Sequence, residues 1–191
     1  MKCLLCERFS LSHICSTCQN TFLTPSIYKR KLQNNIEVIS FYKYRDIKDL
    51  LHTKHTELGF YIYKILANRS MKLFTDAFNF ESKVVAIGID DNVQSGYSHT
   101  AILSKSLSSK NIKPLFNKLR ARNNNSYSGK SREFRLLNPR NFELKYFIQK
   151  YVILVDDIIT TSSTLTQAID ILQKENKEVL FCLTLADASL K

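Results

Sequence analysis

The stretch from Val152 to Lys174 constrains the fold more than any other part of the chain. It opens with an unbroken apolar run, Val152-Ile-Leu-Val155. Next come Asp156-Asp157, Ile158-Ile159 and five consecutive hydroxyl side chains, Thr160, Thr161, Ser162, Ser163 and Thr164. An amphipathic segment from Leu165 to Lys174 closes the stretch, with Ala168, Ile169, Ile171 and Leu172 as its apolar positions. A short run with no polar alternation reads as a strand covered on both faces, and such strands belong to parallel sheets whose crossovers are helices. The spacing predicts a strand over 152–155, the two carboxylates at its carboxyl end, and a helix starting at Leu165.

The same grammar recurs. Ile36–Tyr42, Val84–Ile89 and Val179–Leu185 read as strands. Asp46–Leu66 reads as one long helix, with Ile47, Leu50, Leu51, Leu58, Tyr61, Ile62, Ile65 and Leu66 on its apolar face. Ser98–Ser108 reads as a helix with Ala101, Ile102 and Leu107 inward. Strands alternating with helices give an α/β class with a parallel sheet flanked by helices. Cys182 falls inside the last strand and reads as a small buried hydrophobe.

A strand that opens into a hydroxyl-lined helix start is chemistry for a phosphate. Unpaired N–H groups and the positive end of the helix dipole face the anion, and ligands in open α/β sheets sit just beyond the strand ends. Helix capping alone needs one hydroxyl, and five are supplied. The carboxylates upstream are placed to accept hydrogen bonds from sugar hydroxyls or to stand near a magnesium ion.

Four of the five cysteines lie in the first 18 residues, as Cys3-x2-Cys6 and Cys15-x2-Cys18. Two such knuckles supply the four thiolates of a closed tetrahedral zinc site, whose role is folding rather than catalysis. Replacement of one cysteine by His13, an iron–sulfur cluster, and redox disulfides are the competing readings. The chain divides into this four-cysteine module (1–24), a basic connector (25–35) and an α/β domain (36–191).

Lys and Arg number 28 against 17 Asp and Glu, a net charge of +11 that favours polyanions. The excess concentrates in Lys29-Arg30-Lys31 and in a long polar stretch between Leu115 and Phe147, which carries Arg120, Arg122, Lys130, Arg132 and Arg135. Tyr28, Tyr42, Tyr44, Tyr127 and Phe134 lie in or beside these segments, and single-strand binding combines a positive groove with aromatic platforms. The long stretch also reads as a lid over the phosphate site. No run approaches the ~20 apolar residues of a membrane span, and the start Met1-Lys2-Cys3 has no signal-peptide core, so a cytoplasmic location is expected.

Residues 152–164 resemble the PRPP-binding motif of type I phosphoribosyltransferases: four hydrophobics, two acids, two hydrophobics, then Thr-Thr-Gly-x-Thr. The resemblance implies a type I phosphoribosyltransferase-like sheet. It also implies Asp156 and Asp157 facing the ribose hydroxyls, Thr160 to Thr164 wrapping the 5-phosphate, and magnesium accompanying PRPP. Ser162 stands where that motif has glycine, a position whose backbone a serine reaches only under strain.

With its cysteine module the chain is similar to the ComF family of competence-associated proteins. Further landmarks are Tyr42-Lys43-Tyr44, Ser95-Gly96-Tyr97-Ser98-His99, and Ser128-Gly129-Lys130-Ser131-Arg132 with Asn138. That similarity implies handling of single-stranded DNA during natural transformation, with other competence or DNA-processing proteins and the inner-membrane surface as further partners. Ser95 replaces the family's arginine before Gly96, which weakens the case for turnover more than for binding. A working phosphoribosyltransferase in nucleotide salvage is the alternative, and catalytic residues are not assigned.

Overall fold

The computed structural model describes residues 1–90, 96–122 and 140–190. The chain forms α1 (Ser16–Phe22), β1 (Tyr28–Lys31), β2 (Glu37–Lys43), α2 (Tyr44–His52), a 3-10 turn (Thr53–His55), α3 (Glu57–Arg69), α4 (Met71–Ala77) and β3 (Val84–Asp90). It continues through α5 (His99–Ser106), β4 (Ile112–Ala121), β5 (Phe142–Leu144), β6 (Tyr151–Ile159), α6 (Ser163–Lys174) and β7 (Glu178–Asp187).

These strands make one sheet in the order β1-β2-β7-β6-β3-β4-β5. The inner strands β2, β7, β6, β3 and β4 are parallel, and β1 and β5 close the edges antiparallel. From β3 the chain moves outward to β4, whereas from β6 it moves the other way to β7. The connections therefore diverge between β3 and β6, and α/β sheets bind ligands in the crevice beyond the carboxyl ends of strands at such a point.

Alternation along the strands feeds two cores. Ile153 and Val155 pack with Ile62, Leu66 and Leu103 under α3 and α5, whereas Val152 and Leu154 pack with Leu165, Ala168, Ile169 and Leu172 of α6. Each fully buried side chain of this size contributes about 1.5–3 kcal/mol. Cys182 lies in the second core, and burial pushes its thiol above the ordinary range.

Three local expectations change. The single helix over 46–66 is broken at Thr53–His55. Thr53 Oγ1 donates to the Leu50 carbonyl, Thr56 Oγ1 donates to the Thr53 carbonyl, and Thr56 caps α3 by accepting from Gly59 N. Threonines that bond the backbone locally offer an alternative to helix continuation. In α5 the buried face is Thr100, Leu103 and Ser104, followed by Leu107, one step away from the expected Ala101 and Ile102. Gly88 explains the small polar contact, because a Cβ there would lie 2.9 Å from Thr100 Cβ. The segment read as a connector contains β1, which pairs with β2 through a tight turn at Asn34-Asn35, Asn35 having φ 65°.

The first 24 residues share the main core. Cys3, Ile14, Cys18 and Leu23 are buried in one cluster with Tyr42, Ile62 and Leu66. Arg69 Nη1 donates to Asn20 Oδ1 at 2.9 Å, and His13 stacks on Tyr61 with ring centroids 4.5 Å apart.

Candidate functional site

The strand does not stop at Val155. β6 runs on to Ile159 because β7 keeps pairing with it, Asp156 opposite Thr184 and Ile159 opposite Asp187. Asp156 and Asp157 are thus strand residues, and adjacent strand residues face opposite sides of a sheet. The loop proper is Thr160, Thr161 and Ser162, with Thr160 and Thr161 exposed and Ser162, Ser163 and Thr164 half-buried.

Ser162 takes the left-handed conformation, φ 65° and ψ −6°, as the residue before α6. A non-glycine residue pays roughly 1 kcal/mol or more for that geometry. The first bond of the helix runs from Thr166 N to the Ser162 carbonyl at 2.9 Å, so the earlier N–H groups of α6 have no acceptor within the helix. Thr161 Oγ1 lies 3.2 Å from Ser163 Oγ, so two of the hydroxyls already converge.

Asp157 is buried and turned toward α3 and α5. Its Oδ2 accepts from Lys54 Nζ at 2.9 Å and Tyr63 OH at 3.1 Å, with His99 Nε2 at 3.6 Å. Burial alone would raise its pKa, but Lys54, His99 and Tyr63 outweigh burial and hold the carboxyl well below the usual range. Lys54 is correspondingly raised, chiefly by Asp157. Burial lowers His99 to about 4, so the imidazole is neutral near pH 7 and gives Asp157 a contact rather than a charge.

Asp156 behaves oppositely. Burial, reinforced by the charge of Asp157, pushes it up to about 7, against the pull of Arg140. Its Oδ1 accepts from Asp157 N at 2.8 Å. Arg140, whose backbone N donates to Gln167 Oε1 at 2.9 Å, stands near both carboxylates.

The basic residues read as a DNA surface separate into different environments. Arg30 turns inward: Nη2 donates to the Thr160 carbonyl at 2.9 Å, and Nη1 contacts Asp187 Oδ1 at 3.3 Å and Ser189 Oγ at 3.1 Å. Lys29 pairs with Glu37 at 3.1 Å, and Arg122 with Glu143 at 3.3 Å. Lys31 and Arg120 are exposed. Lys130, Arg132 and Arg135 lie outside the described residues, as do Tyr127 and Phe134. Tyr42 is core, its OH donating to the Leu23 carbonyl at 3.0 Å, whereas Tyr28 and Tyr44 are half-buried.

At the N-terminus the Sγ atoms of Cys3, Cys6, Cys15 and Cys18 all lie within 4.8 Å of one another, and Cys6 and Cys15 are 3.8 Å apart. A tetrahedral ion with metal–sulfur bonds of about 2.3 Å would space its thiolates by about 3.8 Å, so the four thiols fit a metal. Backbone N–H groups already point at the sulfurs, Cys15 N to Cys3 Sγ at 3.3 Å and Cys18 N to Cys15 Sγ at 3.5 Å. The Cys15 N–H helps pull Cys3 down to about 6, while burial and the neighbouring thiols push Cys18 up to about 12. His13 stays outside the set, against Tyr61.

No protein-family model matches the chain, and no curated protein matches it. Solved structures do resemble it. One is a hypoxanthine phosphoribosyltransferase from Staphylococcus aureus, 17% identical, the match covering 65% of this chain and 62% of that one with a TM-score of 0.43. Another is an adenine phosphoribosyltransferase, 14% identical over 90% of this chain and 89% of that one, TM-score 0.43. A third is an orotate phosphoribosyltransferase from Aeropyrum pernix, 16% identical over 90% and 80%, TM-score 0.40. No helix among the described residues is long and apolar enough to cross a membrane.

Proposed function

We propose that the crevice between β3 and β6 binds a ribose 5-phosphate, with PRPP as its full ligand. The observation that carries this is the left-handed Ser162 at the start of α6, with the hydroxyls of Thr161 and Ser163 3.2 Å apart beside it, a helix start that supports an anion site. The phosphate sits on the α6 N–H groups with Thr160 to Thr164 around it, and the ribose hydroxyls meet the Asp156 side of the strand. Magnesium comes with the diphosphate of PRPP. The site is a binding site first: the side chains of Gly96–His99 bring no positive charge near pH 7, since the His99 imidazole is neutral and lies against Asp157.

The zinc assignment belongs to the same reading. Four thiols at tetrahedral spacing, with backbone donors on their sulfurs, support one structural zinc per chain. Together with the net charge of +11, zinc module and sugar-phosphate crevice support a place in the ComF family and a role in handling single-stranded DNA during natural transformation. Arg120 and Arg122 stand at the carboxyl end of β4, the same end of the sheet as the crevice, which favours a DNA path there.

The test is calorimetric titration of ribose 5-phosphate and of PRPP into the zinc-loaded chain. Saturable binding that Thr161→Leu abolishes is expected. Equal binding by Thr161→Leu would show that the site is wrongly placed, and pyrophosphate release from PRPP with a common nucleobase would move the reading to a salvage enzyme.

A further inference from the structure

We propose that Lys54 is the resident counter-ion of the carboxylate pair, so that this crevice does not take a divalent cation from solution onto Asp157. The inference deepens the sugar-phosphate reading and rests on it for the identity of the ligand. Asp156-Asp157 at the mouth of a phosphate site invites a magnesium assignment, and the geometry around Asp157 opposes it. Two donors bond one oxygen, Lys54 Nζ at 2.9 Å and Tyr63 OH at 3.1 Å, and His99 Nε2 stands 3.6 Å from it. Magnesium demands an octahedral shell at about 2.0–2.1 Å and keeps several waters, and seating that shell on this oxygen would displace the bonds from Lys54 and Tyr63. An ammonium at hydrogen-bond distance also repels a dication directly.

The lysine is delivered by a rigid piece of chain. Its carbonyl accepts from Tyr97 OH at 2.8 Å, and the same hydroxyl reaches the Thr56 carbonyl at 3.2 Å. A Cβ on Gly59 would collide with the Tyr97 hydroxyl and the Thr53 carbonyl, so the start of α3 packs directly on this turn. The break in the helix therefore has a use: it sets an ammonium over the carboxyl ends of β3 and β6. Since His99 is neutral above about pH 4, Lys54 is what balances Asp157. On the other side of the strand Arg140 acts on Asp156.

The experiment is a manganese titration of the full, zinc-loaded chain followed by electron paramagnetic resonance. The wild type should show no site tighter than about 1 mM, and Lys54→Met should gain one that Asp157→Asn, added to it, removes. A wild-type manganese site abolished by Asp157→Asn overturns the proposal, as does a natively folded Lys54→Met that gains none. If Lys54→Met does not fold, the wild-type titration against Asp157→Asn decides alone. Ribose 5-phosphate affinity should also be the same with and without added magnesium, and a tenfold gain with magnesium would count against Lys54. Failure of ribose 5-phosphate to bind at all would instead remove the sugar-phosphate reading, leaving the manganese result to stand separately.

Discussion

Arg30 Nη2 donates to the Thr160 carbonyl at 2.9 Å, so a residue of the edge strand β1 holds the loop between β6 and α6. The same guanidinium reaches Asp187 and Ser189 after β7, tying three chain segments together. Hydrogen bonds from a charged donor contribute about 1.5–3 kcal/mol each when made, less where solvent competes. Arg30→Ala should lower stability by about 1–2 kcal/mol and weaken ribose 5-phosphate binding about tenfold, with zinc content unchanged. Arg30→Lys should not rescue binding, because a point ammonium cannot span acceptors that a planar fork reaches. Calorimetry on both variants checks this, and full rescue by lysine would reduce Arg30 to a simple charge.

Ser162 offers a test with the opposite sign. Its φ of 65° is a conformation glycine adopts without a Cβ clash. Ser162→Gly should stabilise the chain by up to about 1 kcal/mol in urea denaturation, less the entropy gained by the unfolded chain. Tighter ribose 5-phosphate binding should accompany it. A destabilised variant would mean that the serine hydroxyl, which donates to the Thr161 carbonyl, matters more than the backbone.

Local signals are legible in the sequence and long-range ones are not. The apolar runs at Val84–Ile89 and Val179–Leu185 declare strands by composition alone, and the four cysteines declare their cluster by spacing. The helix break at Thr53–His55 is hidden because the apolar period continues through it, from Leu51 to Leu58 and Ile62. Asp156 and Asp157 carry poor strand propensity, so composition alone ends the strand at Val155, and only pairing with β7 overrides that preference. The partners of Asp157 come from Lys54 and Tyr63, 103 and 94 positions away. No local pattern marks either residue, and their meeting is a property of the topology. Arg30 and Tyr42 resemble surface residues by charge and ring type, yet each faces inward.

His99 and Asp156 predict two opposing slopes in the dependence of stability on pH. His99 is lowered to about 4 in the folded chain against an unfolded value of about 6.5. The unfolded state binds the extra proton between those values, so the His99 contribution is present above about pH 6.5 and lost as pH falls toward 4. Asp156 is raised to about 7 from about 3.9, so its contribution is full below about pH 4 and lost as pH rises through 7. The two slopes oppose each other over the same window, so wild-type urea midpoints should stay nearly flat from about pH 4 to 6.5, whereas His99→Gln should leave a fall with rising pH and Asp156→Asn a rise. Parallel curves for wild type and both variants would show that neither group is perturbed as its surroundings imply.

Metal removal should reach further than the first 24 residues. Ile14 and Leu23 are fully buried beside Tyr42, Ile62 and Leu66, and the Leu23 carbonyl is the acceptor for the Tyr42 hydroxyl. The four thiols are what fold the segment that carries those two side chains. Without a cation nothing draws the four sulfurs together, and the segment is too small to hold its fold by burial alone. Losing the packing of Ile14 and Leu23 amounts to roughly 3–6 kcal/mol of apolar burial, and a buried tyrosine left without its acceptor adds about 1–3 kcal/mol. Cys18→Ser, or zinc removal by a chelator, should therefore lower the stability of the whole sheet domain by several kcal/mol. Proteolysis within residues 1–24 should become rapid at the same time. Zinc stoichiometry by atomic absorption, taken with urea unfolding of the chain lacking residues 1–24, separates the possibilities. If the cysteine variant and that truncated chain unfold at the wild-type midpoint, the shared core contributes nothing and the module is an independent appendage.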